Sequence, residues 1–177
     1  MRCLCGTSSA VLAFFLLFAP TFSNMANAAA GGARAFSRVE LILPEDWDGD
    51  EQSGFISDNR DEYCLTVTRK KEDGKSHEAQ VSVYILPNVT GQDSEAAAKK
   101  LAEAQANSTA PVKEGKFYVF NGEPRANIVR GPAKTLVRAM PEKMLIIIAQ
   151  DPDLAEAQAI IDSLRGITPD AKALLER

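Results

Sequence analysis

Apolar and polar residues alternate along three early segments of the chain, at residues 39–43, 63–67 and 81–85. Successive side chains of a β-strand point to opposite faces of a sheet, so a period of two is typical of strands with one buried face. The pattern therefore predicts three strands before the first helix.

A helical period replaces this alternation at two places. Residues 93–107 open with Asp93 and carry an alanine-rich stripe, and residues 151–165 open with Asp151 followed by a proline. A capping carboxylate starts both segments, and Gly166 follows the second segment as a C-terminal glycine would. These signals predict two helices.

Between the two helices the pattern returns to strands. The dipeptide Asn121-Gly122 is a hairpin signal, and Gly131-Pro132 marks a second turn. The predicted strands are residues 116–120, 125–130, 133–139 and 144–149.

The segment 144–149 differs from the other strands because it has no polar alternation. Both of its faces must then be buried, which requires a layer on each side of the sheet. We therefore predict an α+β domain in which a mainly antiparallel sheet of about six to seven strands carries helices on both faces, an α/β/α sandwich.

The N-terminus has the order of a secretory signal peptide. Arg2 precedes the apolar run 11–19, and Ala26-Asn27-Ala28 supplies the small residues of a cleavage site. We predict that residues 1–28 are cleaved and that the mature protein is periplasmic or secreted. The apolar run is too short to span a bilayer, so no transmembrane segment is expected in the mature chain.

The mature chain is predicted to form one domain at residues 37–177, after a flexible leader at 29–36. Its modest acidity offers no general attraction for phosphate backbones, which argues against nucleic acid as a partner. Two of the three cysteines precede the predicted cleavage site, so Cys64 remains without an internal disulfide partner.

The order of strand and helix signals along the chain resembles that of a known family. The first predicted strand ends in Leu43-Pro44-Glu45-Asp46-Trp47, an alanine-rich helix lies in mid-chain, and the last helix ends in Ile160-Ile161-Asp162-Ser163-Leu164. This order is similar to the PsbP-like α/β/α sandwich superfamily, which includes small secreted bacterial proteins of the DcrB-like kind. The resemblance implies a non-enzymatic scaffold that binds a partner protein.

Two residues could serve a hydrolase. His77 lies in a polar segment between two strands, where a solvated turn residue is the alternative to a catalytic base. Cys64 is expected on the sheet face opposite Tyr63 and Leu65. It is interpreted either as a small buried hydrophobe or as a reactive thiol able to form an intermolecular disulfide.

An acidic segment follows the first predicted strand. Asp46, Asp48 and Asp50 alternate as in a calcium loop, but Ser57 stands where an EF-hand places its bidentate glutamate. We therefore predict no bound metal and an exposed acidic loop, with calcium at these three carboxylates as the alternative.

Four residues are candidates for contact with a partner. Trp47 either covers the core or anchors an interface. Arg130, Lys134 and Arg138 form a basic set in which the last two share one face with Leu136. Solvated or edge charge is the alternative to recognition of an acidic surface.

These observations favour an exported, non-enzymatic binding or accessory protein that recognises a partner protein in the periplasm or envelope. No cofactor fingerprint is present, so none is predicted. The alternatives are a carrier of a small ligand, which requires an apolar pocket between the sheet and one helix, and a hydrolase using His77 or Cys64.

Overall fold

The protein is an α+β domain, described in a computed structural model over residues 31–56, 61–125, 127–152 and 154–176. The predicted signal peptide at 1–28 lies outside the described residues. Strands dominate, and the strand pairs of the two sheets are antiparallel.

Within these ranges the chain forms ten strands and three helices. The strands are β1 Gly32–Ala35, β2 Val39–Leu43, β3 Trp47–Ser53, β4 Tyr63–Lys70, β5 His77–Pro87, β6 Val112–Glu114, β7 Phe117–Gly122, β8 Ala133–Ala139, β9 Lys143–Gln150 and β10 Arg165–Gly166. The helices are α1 Ser94–Ala104, α2 Ala155–Ser163 and α3 Pro169–Leu175.

Two sheets organise the domain. The larger has seven strands in the order β3-β4-β5-β9-β8-β7-β6, and the smaller has the order β1-β2-β10. The apolar strand β9 lies between β5 and β8, as its lack of polar alternation predicts.

The apolar side chains form two clusters. The main cluster joins β2, the alternate residues of β4, β5 and β9, and the buried faces of α2 and α3. The second cluster packs Ala97, Ala98 and Ala102 of α1 against Phe120 and Val137 of the sheet. Small side chains on α1 allow this close approach, which the alanine-rich pattern predicts.

Several predicted elements are confirmed, and four of the described strands are additional. The strands at 39–43, 63–67, 81–85, 116–120, 133–139 and 144–149 and the helix at 93–107 are present in β2, β4, β5, β7, β8, β9 and α1. The additional strands are β1, which covers half of the predicted flexible leader, β3, which occupies the predicted acidic loop, and the short strands β6 and β10. All four pair with a neighbour through backbone hydrogen bonds, which do not depend on an apolar pattern.

The predicted hairpin at Asn121-Gly122 and the predicted strand at 125–130 are wrong. Asn121 and Gly122 are the last residues of β7 and pair with β8. The following segment is irregular where it is described, and buried side chains hold its backbone. Gln80 accepts hydrogen bonds from the amides of Ile128 and Val129, at 3.1 and 3.2 Å.

The C-terminal region also differs from the prediction. Helix α2 begins at Ala155, because Leu154 adopts a left-handed conformation with φ of 60°. The Asp151 carboxylate still accepts a hydrogen bond from the Ala157 amide, at 3.1 Å. Gly166 belongs to β10, and α3 follows it in a segment for which no helix is predicted.

Candidate functional site

A cleft of about 350 Å³ lies where the seven-stranded sheet extends beyond the elements that cover it. Helix α2 packs on β2, β5 and β9, and α3 packs on β9 and β10. Beyond β9 the sheet continues with strands β8, β7 and β6. The cleft is therefore the space between the two helices and the uncovered part of the sheet.

Apolar side chains line most of the cleft. The sheet contributes Val119, Leu136 and Ile147, and α2 together with the residue after it contributes Ile161 and Leu164. Phe117 and Leu175 add to the lining and are only partly buried. An apolar lining and a volume of a few hundred cubic ångströms are typical of small-molecule sites.

The two ends of the cleft carry different polar groups. Lys134 lies at one end, with its Nζ 3.5 Å from the side-chain oxygen of Gln158. At the other end the rim is formed by Glu114, the last residue of β6, and by Lys116 in the turn that follows, and Lys116 Nζ lies 3.7 Å from a Glu176 oxygen. Among the described residues, Lys134 has no carboxylate within ion-pair distance.

The basic set from the sequence is divided by the structure. Lys134, Leu136 and Arg138 share one face of β8, as predicted. The Arg138 side chain is not a free surface charge, because its guanidinium donates to the carbonyls of Leu174 and Glu176, at 2.9 and 2.7 Å. Arg138 thus satisfies carbonyl groups at the end of α3, and Lys134 alone reaches the cleft.

Arg130 lies outside the cleft. It is exposed in the loop before β8, and its guanidinium donates to the Arg125 carbonyl. Arg130 and Lys134 therefore do not line one pocket.

Trp47 belongs to the core, since none of its surface is exposed. Its indole N–H donates to Glu156 at 2.9 Å, and the Arg69 guanidinium lies 5.7 Å from the ring centre. This position matches the interpretation that Trp47 covers the core rather than anchoring an interface.

A charged cluster surrounds Arg69 next to this ring. The guanidinium lies 2.8 Å from Glu78 and 3.4 Å from Asp151, and it also contacts Glu156. The Asp151 side chain is fully buried. These contacts join β4, β5 and the start of α2, which indicates a structural role for the cluster.

Cys64 is half-buried on the sheet face opposite Tyr63 and Leu65. Its Sγ lies 3.6 Å from the Thr66 hydroxyl, and its cross-strand neighbour is Tyr84. Burial raises the pKa of the Cys64 thiol, so the neutral thiol predominates at neutral pH. This environment does not activate a nucleophile.

His77 and Cys64 are far apart. His77 is the first residue of β5 and pairs with Lys70, six residues along β4 from Cys64. At about 3.3 Å per residue this separation is about 20 Å. A nucleophile and its base must lie within hydrogen-bonding distance, so these two residues cannot act as one catalytic pair.

The acidic residues do not form a loop. Asp48 and Asp50 lie on the edge strand β3, and Asp46 precedes it in a turn. Lys70 Nζ is 3.9 Å from Asp48, and the Gln52 amide is 3.4 Å from Asp50. No group of three or more metal-binding side chains occurs in the part of the chain that the structure describes.

Comparisons with known proteins give no family for this chain, since no protein-family model, curated protein or solved structure matches it. The PsbP-like resemblance therefore stays a prediction. The described ranges contain no helix that is long and apolar enough to cross a membrane.

The sequence does not identify the residues of the cleft. Its one signal is Leu136 between Lys134 and Arg138, which places an apolar residue among charges on a partly covered face. The lining residues come from four strands and two helices, and only the folded chain brings them together.

Proposed function

We propose that this protein is an exported, non-enzymatic binding protein whose cleft holds the apolar part of a small ligand. The observation that carries the proposal is the apolar cleft between the sheet and α2. A carrier is one of the alternatives that the sequence leaves open, and it requires an apolar pocket in this position.

The hydrolase alternative has less support than the carrier. Neither His77 nor Cys64 lines the cleft, and the two residues are about 20 Å apart by strand spacing. Recognition of a partner protein remains a second candidate. The observation that favours it is the exposure of Ile56, which is 67% exposed, and Ile128, which is 60% exposed.

We also propose the α/β/α sandwich as the architecture. Alternation in β8 directs Val137 towards the α1 cluster, while Leu136 packs with the main cluster that includes α2. This arrangement supports placing α1 and α2 on opposite faces of the sheet. It is also what the resemblance to the PsbP-like proteins implies.

Calorimetric titration with decanol, a neutral single-chain amphiphile, tests the proposed function. The mature protein should bind one equivalent, and Leu136→Trp should abolish binding because the indole fills the cleft. Ile42→Trp is the matched control, since Ile42 is 54% exposed on β2 and lies outside the cleft. Equal binding by the two variants, or no binding by the unmodified protein, would contradict the proposal.

A further inference from the structure

The charge distribution of the cleft carries a further inference, which rests on the proposed function. Lys134 is half-buried at one end, and its stem lies beside the apolar lining. Its one polar contact among the described residues is the neutral side chain of Gln158, at 3.5 Å. A partly desolvated ammonium group without a counter-ion favours an anionic ligand group beside it.

The other charges of the cleft lie away from Lys134 or have neighbours of their own. Register places Glu114 opposite Phe117, at the level of Arg138 on β8. That level is four residues from Lys134, about 13 Å along the strand. Lys116 is already close to Glu176.

The acidic residue on α2 also has a neighbour. Asp162 accepts a hydrogen bond from Gln158 at 3.2 Å and lies one helical turn further along α2. Gln158 thus separates the Asp162 carboxylate from the Lys134 ammonium, which is the one cationic side chain at this end of the cleft among the described residues, while Leu136, Val119 and Ile161 line the space beyond it.

The geometry points to a free amphiphile with one apolar chain and an anionic head as the ligand, with Lys134 as the residue that binds the head. The volume of about 350 Å³ is near the lower end of the range for ligand sites, which suits one chain rather than two. The apolar chain would lie along Leu136 towards Phe117.

A comparison of decanoate with decanol separates binding of the apolar chain by the cleft from binding of the anionic head by Lys134, because the two ligands share one chain and differ in the head group. We expect decanoate to bind about tenfold more tightly than decanol to the unmodified protein, as one charge-assisted contact allows. Lys134→Met should remove this preference, because both ligands then meet the same uncharged end of the cleft. Lys134→Arg should retain the preference.

Lys116→Met is the matched control, because it removes the other lysine of the cleft, which already faces Glu176. This variant should keep most of the preference for decanoate. If Lys134→Met and Lys116→Met weaken decanoate binding equally, the assignment of the head group to Lys134 is wrong.

The failures of the two proposals are distinguishable. If neither decanol nor decanoate binds, the proposed function itself is wrong. If decanol binds but decanoate binds no more tightly, the cleft is a ligand site and only the anionic head is refuted. Binding to vesicles of a two-chain anionic phospholipid that depends on Lys134, without decanoate binding, would replace the free ligand by a membrane surface.

Discussion

Arg69 is the residue on which several elements of the fold depend. It faces three carboxylates, including the fully buried Asp151, and its guanidinium lies over the buried ring of Trp47. A buried carboxylate is tolerated only when it is paired or hydrogen-bonded. The stability of the junction between β4 and α2 should therefore depend on the Arg69 charge.

Arg69→Met should lower the free energy of unfolding by about 3 kcal/mol, because it removes the cation beside the buried Asp151 carboxylate. Urea denaturation measures this change. Lys70→Met is the control, since Lys70 lies on the same strand in an exposed pair with Asp48, 3.9 Å away. It should change stability by less than about 1 kcal/mol. Similar losses in both variants would refute a structural role for the cluster.

Cys64 should react slowly with an alkylating reagent at neutral pH. Burial raises the pKa of its thiol, so less of the reactive thiolate is present than for an ordinary cysteine at the same pH. The rate should rise as the pH increases beyond the usual thiol range, and urea should accelerate the reaction at neutral pH. Fast labelling of the native protein at pH 7 would instead support the reactive thiol.

At the residue scale, the alternation of apolar and polar residues predicts the sheet face to which a side chain points, but it does not predict which residues that side chain contacts. It places Lys134 and Arg138 on one face correctly, since β8 has a regular period of two. The alternation does not reveal that α3 ends beside Arg138, whose guanidinium donates to the Leu174 carbonyl. For this reason the basic patch predicted from the sequence reduces to one lysine in the cleft.

Gly166 determines how α3 docks on the smaller sheet. A Cβ atom at this position would lie 2.3 Å from backbone atoms of Ala171 and Lys172. Real Cβ atoms do not approach backbone this closely, so any side chain must displace the helix. The glycine that the sequence marks as a helix C-terminus is thus a close-contact position between β10 and α3.

Gly166→Ala should destabilise the protein by about 1–3 kcal/mol, the usual cost of overpacking. The change is measured as a lower midpoint in urea denaturation. Gly32→Ala provides the comparison, because a Cβ atom on Gly32 in β1 would meet no other atom within 4 Å. An alanine that is tolerated equally at both positions would show that α3 does not need this contact.

At the element scale, the regular strands and α1 are predicted well because burial on one face imposes a period on the sequence. The elements that the sequence does not predict lack this constraint. Strand β3 is an exposed edge apart from Trp47, and α3 has only seven residues with two buried side chains. The irregular segment after β7 depends on Gln80 and Gln150, whose hydrogen bonds cross between distant parts of the chain.

At the scale of the whole molecule, the cleft exists because the covering layer is narrower than the sheet. Helices α2 and α3 reach β9, whereas the sheet continues through β8, β7 and β6. The widths of two layers result from tertiary packing, so no local pattern predicts the position of the cleft. The proposed function rests on this mismatch.

Native mass spectrometry of the mature protein, isolated gently from its own compartment, tests the central claim most directly. The account predicts extra mass from one small amphiphile on the unmodified protein and none on Leu136→Trp. Ile42→Trp should retain the ligand. A bare protein in all three samples, or ligand retained equally by Leu136→Trp, would contradict the claim that the cleft binds a small ligand.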